Sequence, residues 1–191
     1  MWLFVKCLFL QLKQNYFIMG YTTYFEGEFK LDKPFTQEHS EYLAKFNASR
    51  RMKRDVKKLK TMYNGEHGLP GAADPYGQEG EFYVGGHHAD YSDYQDASVK
   101  NVNQPPSTQP GLWCQWIPTE DGDGIEWDGG EKFYDYIEWM EYIVRNFIEP
   151  WGYKLSGEVL WRGEDFEDFG KIVLTDNNME VWEGSLSQSY N

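Results

Sequence analysis

Cysteine is nearly absent: the 191 residues hold two, Cys7 and Cys114. A small secreted domain stapled by disulfides carries more, so the sequence reads as that of a protein from a reducing, cytoplasmic compartment. Basic residues are also scarce, 18 Lys and Arg against 31 Asp and Glu. The resulting net charge of −13 disfavours direct binding to nucleic acid or to anionic membrane, because phosphate contacts need a compensating positive surface. Long apolar runs are missing too. The best of them, within MWLFVKCLFLQLKQNYFI at residues 1–18, is broken by Lys6 and Gln11 and falls short of the roughly 20 residues of a membrane span. It lacks the basic start and small-residue cleavage site of a signal peptide. A fresh pattern opens at Met19, so translation is expected to start there, with residues 1–18 an extension outside the native protein. Neither a Gly-x-Ser-x-Gly elbow, a zincin helix, a paired-Cys motif nor a phosphate loop occurs, and the expectation is a protein that is not an enzyme and uses no cofactor.

What the chain has in quantity is aromatic side chains, 18% of residues within a hydrophobic total of 40%. That is enough to build one core, and residues 19–191 are expected to form a single α+β domain. In MGYTTYFEGEFKLDKP the alternation puts Tyr21, Thr23, Phe25, Phe29 and Leu31 on one side of a strand, with Thr22, Tyr24, Glu26, Glu28 and Lys30 on the other. Thr36 starts a helix with Tyr42, Leu43 and Phe46 as its apolar stripe. Near the C-terminus Tyr153, Leu155, Val159 and Trp161 face inward while Lys154, Ser156, Glu158 and Arg162 look outward. Further strands follow at Lys171 to Thr175 and Met179 to Trp182, across a turn at Asp176 to Asn178. The expected architecture is an antiparallel sheet of about six or seven strands with two or three helices packed on it.

Charge is unevenly spread. Between Arg50 and Lys60 lie seven basic residues and one acid, Asp55, a window of +6 that leaves −19 elsewhere. Met52, Val56, Leu59 and Tyr63 recur there at helical spacing, which predicts a second helix with a basic surface. Such a face is either solvated, with salt bridges to the acidic body, or an anion site. From Asn64 to Pro110 the chain is rich in Gly, Asp, Asn and Pro, with one short strand expected in GEFYVGG at Gly80 to Gly86. The segment reads as a long loop, either a lid or an excursion. His87 and His88 with Asp90 and Asp93 have metal-ligand chemistry, but adjacent histidines tend to point apart and no second ligand cluster accompanies them, so no metal is expected.

Three tryptophans, three Tyr or Phe rings and seven carboxylates crowd into residues 111–136. Leu112, Cys114 and Trp116 share one side of a strand, with Trp113, Gln115 and Ile117 on the other. The acidic turn from Glu120 to Gly124 and a return strand through Ile125 and Trp127 complete a hairpin. Asp128 with Glu131 then reads as a variant capping box ahead of a helix whose stripe is Phe133, Ile137, Met140, Val144 and Phe147. Cys114 qualifies as a nucleophile only if one of the four histidines folds beside it. Since Trp113 and Trp116 face opposite sides of their strand, one belongs to the core and the other needs a cover.

The strings MGYTTYFEGEFKLDKP, GLWCQW with IEWDGGEKFYDY, and PWGYKLSGEVLWRGED with FGKIVLTDN resemble a family of small, uncharacterised proteins of bacteriophages and bacteria. The likeness covers most of the chain from Met19 except the loop at 64–110. It implies a cytoplasmic, phage-linked accessory protein and no catalytic residue. Together with the residue reading, this leads to a non-enzymatic binding protein for a small anionic or aromatic ligand, with Trp113 or Trp116 stacking on it and Arg50, Arg51 and Arg54 meeting its charge. The alternative is an acidic interaction protein that occupies a host protein's nucleic-acid site.

Overall fold

In the computed structural model, residues 20–85 and 96–184 are described. β1 (Tyr24–Leu31) and β6 (Leu155–Arg162) form the centre of a six-stranded antiparallel sheet. On one side of this pair lie β5 (Gly124–Trp127) and β4 (Trp116–Pro118); on the other lie β7 (Phe169–Thr175) and β8 (Asn178–Glu183), in the order β4-β5-β1-β6-β7-β8. A two-stranded ladder, β2 (Lys53–Arg54) with β3 (Val99–Asn101), stands apart from it. The expected α+β antiparallel architecture is what the chain adopts.

The alternation along β1 and β6 explains how the sheet is covered. Phe29, Leu155, Val159 and Trp161 are buried on one face together with Trp116, Ile125, Ile172 and Leu174. Helix α1 (Gln37–Ala48) lays Tyr42, Leu43 and Phe46 on that face. Helix α3 (Tyr136–Ile143) adds Trp139, Met140 and Ile143, and its continuation as a π turn over Val144–Ile148 adds Phe147 and Ile148. Apolar side chains removed from water in this layer contribute about 25 cal/mol per Å², which makes it the main source of stability. At the β1–β6 seam, Gly157 pairs with Phe29 and Gly27 with Val159. Both glycines have positive φ, 144° and 111°, and a Cβ on Gly157 would sit 2.7 Å from the Glu28 carbonyl oxygen.

Two local starts differ from the sequence reading. The basic stretch is not one helix: Arg50 to Arg54 is extended, and α2 (Val56–Tyr63) begins only after Asp55, whose carboxylate accepts from the backbone N–H groups of Lys57 and Lys58. Backbone bonds from Arg51 N to Leu112 O, Lys53 N to Gln104 O, Arg54 N to Glu79 O and Asp55 N to Ser98 O hold that extension in place. The capping box does not form either. The Asp128 side chain accepts from Gly130 N at 2.7 Å as a local turn, and the helix starts at Tyr136 behind Asp135, a left-handed residue whose side chain makes no cap bond.

The segment after Asn64 is more than a loop. Tyr76 and Tyr83 pack with Leu59 of α2 as a second small core, with Val56 and Tyr63 against it. Gly80 to Gly85 passes through turns rather than the expected strand.

The entry to α1 carries a pH-sensitive contact. The Tyr153 hydroxyl accepts from Thr36 N at 3.0 Å and lies 3.0 Å from His39 Nδ1. Whether Nδ1 accepts from this hydroxyl or donates to it follows the imidazole tautomer. The ring also stacks flat on Trp151, with centroids 4.0 Å apart. Burial holds His39 below the ordinary histidine value, with Glu38 opposing that shift. A depressed histidine favours the unfolded chain once protons bind, so its contribution is complete above roughly pH 6.5, declines below it, and levels off beneath the folded value. Urea denaturation between neutral and mildly acidic pH is expected to show this decline, and His39→Phe to remove it.

Candidate functional site

Of the five residues expected to hold a ligand, the structure brings two together at a surface. The Arg50 guanidinium lies over the Trp113 ring, 5.7 Å from its centroid, and is anchored by bonds from Nε to Val102 O at 2.9 Å and from Nη2 to Asn103 Oδ1 at 3.3 Å. The other three turn inward. Arg51 is 1% exposed, sits over Phe46, and donates to Glu81 O and Gln109 Oε1. Arg54 is also buried, over Tyr83, with Asp96 at 3.4 Å and Ser98 Oγ at 3.0 Å. Trp116 belongs to the core, among Phe25, Phe29 and Phe133, and its indole N–H donates to Tyr136 O. No common cleft joins the five. Arg54 instead fastens the basic stretch to Tyr83 of the second small core, and Arg51 fastens it to Phe46 of the main core, roles that the helical period of that stretch hid.

Cys114 is buried, and burial pushes its thiol up to about 12. At neutral pH it is a protonated thiol rather than a nucleophile. In a Cys7→Ser protein, Ellman's reagent is expected to find no reactive thiol until denaturant is added; prompt native labelling would contradict the placement. His87, His88, Asp90 and Asp93 lie outside the described residues. Among the described residues no group of three or more His, Cys, Asp and Glu side chains has metal-binding geometry. No helix among them is long and apolar enough to cross a membrane.

The informative surface is the face of the sheet turned away from the helices. Register aligns its outward side chains in rows. One row is Tyr24, Arg162 and Phe169; the next is Glu26, Leu160, Lys171 and Trp182; the third is Glu28, Glu158, Val173 and Glu180. The face is thus graded, aromatic and cationic at one end and acidic in its middle. At the aromatic end Tyr24 is 62% exposed, Leu160 44% and Trp182 56%, a concentration of large apolar groups that a solvated sheet face ordinarily lacks. Arg162 lies over the Phe169 ring at 5.9 Å from its centroid. Lys171 is committed to Glu158 at 2.7 Å.

A groove of about 600 Å³ opens here, lined by Tyr24, Phe25, Glu26, Leu160, Arg162 and Phe169 among others. Its end is fixed by a polar knot. Tyr21 donates its hydroxyl proton to Asp168 Oδ2 at 2.5 Å, and the Trp161 indole donates to Oδ1 of the same carboxylate at 3.2 Å. Asp165 N donates to the Tyr21 oxygen at 3.1 Å. Burial first and the Asp168 bond second raise the Tyr21 hydroxyl above its ordinary value, so it stays a donor. These ties hold the turn between β6 and β7, which carries the exposed Phe166, against the start of β1. The arrangement offers flat ring faces and a guanidinium at one rim, chemistry suited to stacking and charge recognition. Tyr24 and Arg162 were legible as outward-facing; the signal that would have marked the groove is the excess of large apolar residues, Leu160 and Trp182 with Tyr24, on the polar side of the strands. No protein-family model, no curated protein and no solved structure matches the chain, so the fold and its side chains carry the functional reading.

Proposed function

We propose that the protein is a non-enzymatic binding protein that takes a small anionic, ring-containing ligand in the groove on the open face of its sheet. The observation that carries this reading is the row Tyr24, Arg162 and Phe169, set side by side by the β1–β6–β7 register. A ligand ring stacks on the exposed Tyr24 and Phe169 side, and its charged group meets the Arg162 guanidinium. The groove volume of about 600 Å³ falls in the range of small-molecule sites, roughly 300 to 1,000 Å³. From the resemblance of its strings we infer that this binding serves a cytoplasmic, phage-linked accessory role.

Native mass spectrometry of protein purified gently from cells tests the reading. A small-molecule mass that is lost on denaturation, and is missing from Tyr24→Ala and Arg162→Glu proteins, is the expected result. The same mass on both variants would remove the groove from consideration.

A second reading, the acidic interaction protein, draws on the Glu28, Glu158 and Glu180 row. Binding of that kind would weaken steeply as salt rises, whereas a stacked ligand in a partly dry groove is less sensitive.

A further inference from the structure

The free edge of β8 supports an inference independent of the groove. β8 pairs with β7 along all six of its residues, and among the described residues no strand pairs with its other side. The β7–β8 turn has two residues, Asp176 and Asn177, with φ of 49° and 73°. In such a hairpin the flanking pair, Thr175 and Asn178, exchanges its hydrogen bonds, and alternation then aims the N–H and C=O groups of Met179, Val181 and Glu183 away from β7. The bond from Gly184 N to Phe169 O continues that alternation.

Native sheets commonly blunt such edges with short strands, proline, charged side chains (lysine above all) or bulges. The opposite edge follows this habit, since β4 has three residues and ends on Pro118. β8 has only its two glutamates to this end, and their charge selects a partner strand of opposite sign. Its sequence NMEVWE has neither proline nor lysine, its ladder with β7 is unbroken, and Val181 is 38% exposed beside Trp182. Glu180 and Glu183 are exposed along the same strand.

We propose that the β8 edge is a strand-addition site for an extended segment of a partner protein, one with Lys or Arg opposite Glu180 and Glu183 and an apolar residue opposite Val181. Backbone bonds to Met179, Val181 and Glu183 supply the attachment, and the two carboxylates select the charge of the incoming strand. A second copy of this chain is disfavoured as the occupant, because it would bring together two acidic edges on bodies of −13 each.

The probe is the capped peptide Thr-Lys-Thr-Val-Lys-Thr, titrated into ¹⁵N-labelled protein and followed by nuclear magnetic resonance. Saturable shifts at the Met179, Val181 and Glu183 amides are expected, with none from the peptide carrying Glu in place of both Lys. Val181→Pro removes an outward N–H without touching the β7 ladder and is expected to weaken binding by at least about tenfold, 1.4 kcal/mol. Should that variant misfold, Val181→Lys blunts the edge with charge instead and is expected to do the same. Unmoved edge amides, equal binding of the Glu peptide, undiminished binding by a folded Val181 variant, or self-association of the chain through these same amides would each overturn the proposal.

Discussion

Trp116→Ala is expected to lower the unfolding free energy by about 3 to 5 kcal/mol, the usual cost of emptying a fully buried aromatic site. Trp116 is 1% exposed and meets Phe25, Phe29 and Phe133 edge-on, with centroids 5.4 to 5.9 Å away. Its loss removes those contacts, opens a cavity between sheet and α3, and leaves the Tyr136 carbonyl without its 2.9 Å donor. Trp113→Ala, at a half-buried position over which Arg50 lies, should cost clearly less. Guanidinium denaturation of both proteins measures the difference. Equal and small losses would show that Trp116 is not a core residue.

Gly157→Ala is expected to cost about 2 to 4 kcal/mol, because alanine must adopt a left-handed φ and its methyl group must clear the neighbouring strand. The Cβ position lies 2.7 Å from the Glu28 carbonyl oxygen and 3.1 Å from the Phe29 Cα, and both belong to backbone that cannot swing aside. The damage falls on the β1–β6 seam, which spans all eight residues of each strand. Leu160→Ala on the same strand is the matched control; its outward side chain is 44% exposed, so a loss within about 0.5 kcal/mol is expected. A thermal or urea melt of Gly157→Ala that matches the native protein would mean that the seam is not built as described.

Strand faces were legible from the sequence because alternation is a local signal. Tyr24, Glu26 and Lys30 against Phe25, Phe29 and Leu31, and Arg162 against Val159 and Trp161, could be sorted without knowing any partner strand. Register was not legible. Nothing local says that Tyr24 lies beside Arg162, 138 positions away, or that Phe169 completes the row. The groove is a product of that register, which is why local pattern alone points to Trp113, Trp116 and the arginines instead.

The basic stretch misled for a related reason. Met52, Val56, Leu59 and Tyr63 carry a helical period, but the Asp55 side chain caps the helix at Val56. The preceding residues find better backbone partners in Leu112, Gln104, Glu79 and Ser98. Tertiary pairing overrode periodicity there, and Arg51 and Arg54, two of the three arginines expected to meet an outside anion, were drawn inward with it. A buried guanidinium such as Arg51 is costly unless its donors are met. Glu81 O at 2.7 Å, Gln109 Oε1 at 3.4 Å and the Phe46 ring supply that compensation for Nη2 and Nε.

A ring-stacking anion site on the open sheet face is tested by a nuclear magnetic resonance titration of ¹⁵N-labelled protein with adenosine monophosphate and with an aromatic carboxylate as probes. Saturable shifts at Tyr24, Leu160, Arg162 and Phe169 are expected, and they disappear in Arg162→Glu. Saturable shifts centred on Arg50 and Trp113, with the groove residues unmoved, would contradict that placement of the site.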